Sequence, residues 1–188
     1  MEKDALIVNL FGGPGVGKST TAAGVFSLLK LHDVECELVP EFAKDLVWEE
    51  RFKTFKDQQY IFGKQHHRLW RVKDKVDVVV TDCPLMLSAI YGQRYGTTTI
   101  AFESNVIDVI NSFRNKNIIL NRTKKYNCNG RNETEDQARE VDDMVKRSLE
   151  GNNMPWVDIP GNFQGINEVA KVILKELRIS PKFKLEMR

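Results

Sequence analysis

The stretch Gly12-Gly13-Pro14-Gly15-Val16-Gly17-Lys18-Ser19 constrains this chain more than any other. It fits the pattern G-x-x-x-x-G-K-[ST] in full. It follows the apolar run 5–11 and precedes a segment, 19–31, with Val25, Leu28 and Leu29 at helical spacing. A glycine-rich turn between strand and helix lets successive backbone N–H groups curl round an anion, at dihedrals and distances that a side chain would obstruct. The helix that follows adds the partial positive charge of its N-terminus. Gly12, Gly13, Pro14, Gly15, Val16, Gly17, Lys18, Ser19 and Thr20 are therefore the expected nucleotide-binding residues. Lys18 would reach the β- and γ-phosphates of ATP, and the Ser19 hydroxyl would ligate a Mg2+ ion between them.

Strand and helix signals alternate beyond this turn. Residues 34–39 read as a second strand stopped at Pro40, and a polar, largely helical stretch with aromatics continues to about Lys75. Residues 76–81 (Val-Asp-Val-Val-Val-Thr) have the β-branched run of a strand buried on both faces of a parallel sheet. Residues 105–113 predict a helix, 117–121 a fourth strand, 133–149 a charged helix, 156–159 a fifth strand and 166–177 a last helix. Five strands alternating with helices predict an α/β, three-layer domain around a parallel sheet. No repeat or linker divides the 188 residues, of which 41% are hydrophobic, so one domain spanning 1–188 is expected.

The 28 Lys and Arg nearly balance the 26 Asp and Glu, so overall charge makes no case for nucleic acid. No apolar run reaches the roughly 20 residues of a membrane span, and the polar start lacks the layout of a signal peptide. A soluble, cytoplasmic protein is expected. Cys36, Cys83 and Cys128 are odd in number and far apart, which argues against a disulfide framework or a zinc site.

Asp82 closes the third predicted strand in Val78-Val79-Val80-Thr81-Asp82, the pattern of a strand-ending acid that holds magnesium. The same aspartate could cap the segment opened by Pro84. With both motifs in place, the chain resembles the small P-loop kinases. More narrowly, it resembles the phage-encoded kinases related to nicotinamide-riboside and deoxynucleoside kinases. The resemblance rests on Gly12 to Ser19, on Pro40-Glu41-Phe42-Ala43, on Thr81-Asp82-Cys83-Pro84, and on the segment from Arg122 to Arg131 with the acidic helix after it. It implies sheet order 2-3-1-4-5 and ATP-dependent phosphoryl transfer, in the host cytoplasm if the chain is phage-encoded. It also implies a proton-accepting carboxylate at Glu41, with Asp82 the rival base; Glu41 could otherwise be the cap or first-turn acid of the next helix.

The polar, basic segment 122–132 is the expected lid, with Arg122 and Arg131 neutralising charge on the transferred phosphoryl group, unless it is an ordinary solvated loop. Segment 41–75 is the expected acceptor side. Within it, residues 51–75 hold eight basic and two acidic residues interleaved with Phe52, Phe55, Tyr60, Phe62 and Trp70. That composition suits a DNA backbone with stacked bases, and equally an amphipathic helix with its aromatics inward. Tyr91 to Gly96 reads as a surface connection or an acceptor flap. The expected acceptor is a nucleoside or nucleotide. The alternatives are a hydroxymethylated pyrimidine within phage DNA and an ATPase without a small acceptor. The guanine-reading N-K-x-D signature fails at Ile118 in Asn115-Lys116-Asn117-Ile118.

Overall fold

The computed structural model describes residues 3–123, 125–126 and 134–182. Its centre is a five-stranded sheet of order β2-β3-β1-β4-β5, built from β1 (Leu6–Phe11), β2 (Cys36–Val39), β3 (Val78–Thr81), β4 (Arg114–Asn121) and β5 (Trp156–Pro160). Every pairing is parallel. Leu6 sits opposite Val78 on one side and Arg114 on the other, and Asn117 opposite Trp156. All residues of β1 and β3 are buried, as their unbroken apolar runs require of central strands covered on both faces. The expected strand order and three-layer fold are both present.

Helices α1 (Lys18–Leu31) and α7 (Phe163–Glu176) cover one face, where Val25 and Leu29 meet Val169, Ile173 and the inward side chains Leu6, Val8 and Leu10. On the other face lie α3 (Gln58–Trp70), α4 (Met86–Tyr95), α5 (Ile100–Asn111) and α6 (Glu135–Gly151), packed on Ile7, Phe11 and Val79. The short α2 (Ala43–Trp48) and a 3-10 turn, Phe52–Lys56, connect β2 to α3. Phe62 and Leu69 of α3 are buried whereas Trp70 and Phe52 are exposed, so the aromatics of segment 51–75 are divided between core and surface.

Two elements differ from the sequence reading. Residues 91–96 are not a connection: they are the last turns of α4 and its cap, with Gly96 left-handed at φ 64° and the Thr97 N–H returning to the Gly92 carbonyl. Gly92 is glycine because the Thr98 side chain crosses the helix there, 3.0 Å from where a Cβ would stand. Residues 115–117 serve the sheet. The Asn9 amide donates to Asn115 Oδ1 (2.9 Å) and Asn117 Oδ1 (3.0 Å), and Asn115 donates to the carbonyls of Ile110 and Phe113. This buried polar ladder satisfies its own groups and ties β4 to β1.

Because all strands are parallel, their C-terminal ends open on one edge. β1 runs into the glycine turn, β2 into Pro40-Glu41, β3 into Asp82, β4 into Arg122 and β5 into Gly161. Residues distant in sequence therefore meet there.

Candidate functional site

The turn from Gly12 to Gly17 is followed directly by α1, and Gly17 caps that helix in a left-handed conformation (φ 108°) that any side chain would strain. No side chain caps the helix and its first turn holds no acid, so its leading N–H groups and positive end are left for an anion. The Lys18 ammonium folds back over the turn and donates to the Gly12 carbonyl (2.7 Å) and the Gly13 carbonyl (3.2 Å). Ser19 and Thr20 are exposed beside it.

Across the edge, Asp82 is buried at the end of β3, and its Oδ1 accepts the Glu41 N–H at 3.0 Å. The strand-ending acid thus caps the segment after β2, not the one opened by Pro84. Gln65, fully buried on α3, accepts the Phe42 N–H (3.0 Å) and donates to the Pro40 carbonyl and Thr81 Oγ1 (both 3.4 Å). Arg68, one turn further along α3, donates to the Pro40 carbonyl (3.1 Å), pairs with Asp45 and lies over the Phe42 ring. Residues 40–45 are held from both sides, and with them the backbone that carries Glu41. Sequence reasoning missed Gln65; a glutamine among apolar positions of an amphipathic helix was its only signal.

The charges converge on one buried thiol. Burial pushes the Cys83 thiol well above its usual range, the Glu41 and Asp82 carboxylates push it further, and Lys18 and Arg68 oppose them. Asp82 ends β3 and holds the Glu41 backbone that follows β2, and the neighbouring strand β1 leads through the glycine turn to Lys18 at the start of α1, so the three lie along one sheet edge. Cys36 and Cys83 are both free and buried, and Cys128 lies outside the described residues.

Arg122, directly after β4, is turned onto α6 and the glycine turn. Its side chain is 11% exposed, and it donates to Asp142 Oδ2 on α6 (2.6 Å), to the Pro14 carbonyl (2.8 Å) and to the Ala138 carbonyl (3.2 Å). Arg131, the other expected lid cation, lies outside the described residues, as does most of segment 122–132. On the far side, the Gly161 N–H donates to the Asn121 carbonyl and Thr123 donates to the Gly161 carbonyl, which closes the edge beside Gly17.

A sequence-family profile described as an AAA domain matches residues 7–165. The chain belongs to the AAA domain family. No curated protein matches it by sequence. Among solved structures, this AAA domain is similar to the NadR protein in complex with NR, with TM-score 0.66 and 12% identity over 98% of this chain and 53% of NadR. It thus spans about half the length of the NadR chain. It is also similar to deoxyadenosine kinase from M. mycoides with the products dCMP and dCDP bound (TM-score 0.60, 18% identity, 92% of this chain and 98% of that one). The same enzyme with bound dATP gives TM-score 0.51 and 17% identity over 92% and 99%. At these identities the likeness establishes the fold, which is that of P-loop kinases. Among the described residues, no helix is long and apolar enough to cross a membrane.

Proposed function

We propose that this AAA domain is an ATP-dependent phosphotransferase that moves the γ-phosphate of ATP to a hydroxyl of a nucleoside or nucleotide. The observation that carries the reading is the glycine turn with Lys18 folded over its carbonyls, at the same sheet edge as Asp82 and the Glu41 backbone that Asp82 holds. The similarity in fold to a deoxyadenosine kinase and to NadR with NR bound supports a nucleoside-type acceptor.

In this reading the backbone N–H groups of Gly15 to Ser19 hold the β-phosphate, and Lys18 exchanges its two carbonyl partners for phosphate oxygens. Glu41 takes the proton from the acceptor hydroxyl as its oxygen bonds to the γ-phosphorus. The bond between that phosphorus and the β–γ bridging oxygen breaks, and its electron pair leaves on ADP. Arg122 lies beside the turn with its charge paired to Asp142, and Arg131 is by sequence the cation for the transferred group. The donor set suits Mg2+. Ser19 offers an exposed hydroxyl and Asp82 a carboxylate, both hard oxygen donors. An ion there would be completed largely by substrate phosphates and water. When bound, that ion neutralises charge on the phosphates.

The DNA alternative draws on segment 51–75, three of whose eight cations are engaged in ion pairs: Arg68 with Asp45, Arg51 with Glu49 and Lys73 with Asp74. Membership of the AAA domain family favours a second reading, ATP hydrolysis without a small acceptor. Labelled ATP offered with Mg2+ against nucleosides, nucleotides and ordinary or hydroxymethylated DNA separates the three. A labelled nucleoside or nucleotide product supports the proposal. Label in DNA alone, or only free phosphate at a rate no acceptor changes, refutes it.

A further inference from the structure

One peptide group of the glycine turn is gripped at both ends. The carbonyl of Gly12 accepts from Lys18 Nζ, and the N–H on the other side of that same peptide bond, belonging to Gly13, donates to Asp142 Oδ1 at 2.5 Å. A peptide group is planar, so whatever fixes the Gly13 N–H also fixes the direction of the Gly12 carbonyl. The second oxygen of Asp142 receives Arg122 Nε, and Arg122 continues to the Pro14 carbonyl, the next but one along the turn.

We infer that Asp142, with Arg122, is a positioning residue of the nucleotide site, setting the peptide plane on which Lys18 rests and coupling α6 to the phosphate-binding turn. This rests on the nucleotide-binding reading above and extends it to a residue outside the turn.

Three observations support the assignment. Asp142 follows Val141 and lies one turn after Ala138, both buried, so the packing of α6 presents its carboxylate to the turn. The approach is close enough that a Cβ on Gly13 would run into the Ala138 carbonyl oxygen and stand 2.8 Å from the Arg122 guanidinium. Both carboxylate oxygens are used, one on a backbone N–H and one on a charged donor, and a half-buried carboxylate so satisfied is a fixed point, not a wandering surface charge. The start of α6 is itself fixed by a reciprocal cap between Thr134 and Gln137.

The test is ATP affinity by titration calorimetry, with a thermal melt beside it, for the parent and for Asp142→Ala, Asp142→Asn, Arg122→Ala and the double Ala variant. Asp142→Ala should weaken ATP binding about tenfold or more in protein that is still folded at the assay temperature. Asp142→Asn, which can still accept the Gly13 N–H but loses the charge, should fall between that and the parent. The double variant should bind little worse than either single one, because both act through one connected chain of bonds. Folded Asp142→Ala with an affinity within about twofold of the parent, or fully additive losses, would overturn the inference. Should Asp142→Ala not fold, Asp142→Asn decides by the same twofold criterion. A parent that binds no ATP overturns the nucleotide reading together with this one; a parent that binds while the variants match it overturns this one alone.

Discussion

Lys18 rests on two backbone carbonyls and, among the described residues, on no carboxylate, so its charge can be handed to a phosphate without breaking an ion pair. Lys18→Ala should therefore lower ATP turnover about a hundredfold or more while shifting the melting temperature little, because the side chain stabilises a bound anion and not the core. Turnover and a melt on one preparation check this, and parent-like turnover would count against the site. Glu41→Gln keeps the size of the side chain and removes its basicity. Single-turnover transfer should fall roughly a hundredfold with ATP affinity nearly unchanged, and an unaltered rate would remove Glu41 as the proton acceptor. Gln65 tests how much of that role is preorganised. Its buried amide serves Phe42, Pro40 and Thr81, so Gln65→Ala strands those groups at a cost of about 1–3 kcal/mol and should slow the chemical step by loosening Glu41. Chemical denaturation and single-turnover rates on this variant read the two effects separately.

At the scale of elements, the sheet was legible because its signals are local: the runs 6–11 and 78–81 are too apolar for anything but central strands, and the glycine turn marks where the first strand must end. Helix α4 was illegible for an equally physical reason. Gly92 and Gly96 are turn signals in sequence, yet one is needed for the close passage of Thr98 and the other for the helix cap, and both needs exist only in the folded protein. The site divides the same way: Lys18 and Asp82 lie in motifs, whereas Asp142 and Gln65 act through tertiary contacts that no spacing encodes. The end of α1 offers a further prediction. Buried His32 follows that helix, and its Nδ1 accepts the Lys182 N–H at 3.0 Å, docking the segment after α7. Burial, and then the charge of Lys182, holds the His32 pKa below its ordinary value. An imidazole kept neutral in the folded state stabilises fully above the unfolded value of about 6.5, and that contribution is lost as pH falls through the lower folded value. The melting temperature should fall between about pH 7.5 and pH 5.5, and His32→Gln should flatten the fall. Part of the slope should survive through His66, which burial, and then His67, depresses in the same direction. An unchanged slope in the variant would show that His32 does not titrate with unfolding.

For the whole molecule, the parallel sheet gathers five strand ends on one edge, and under the proposed function the residues there supply what a phosphoryl transfer requires: a glycine turn for the phosphates, a lysine, a candidate base and a hard-oxygen acid. The opposite edge carries ion pairs remote from that chemistry, Lys3 with Asp77 and Lys116 with Glu176, which are partly exposed and add little to stability. The proposed acceptor is a small nucleoside-type molecule and not a polymer. Acceptor dependence of ATP turnover tests this most directly, measured with Mg2+ present across a panel of nucleosides and nucleotides. The account predicts that one of them raises ADP release about tenfold or more, with label appearing on that acceptor and both effects lost in Lys18→Ala. ADP release that no nucleoside or nucleotide changes would contradict it.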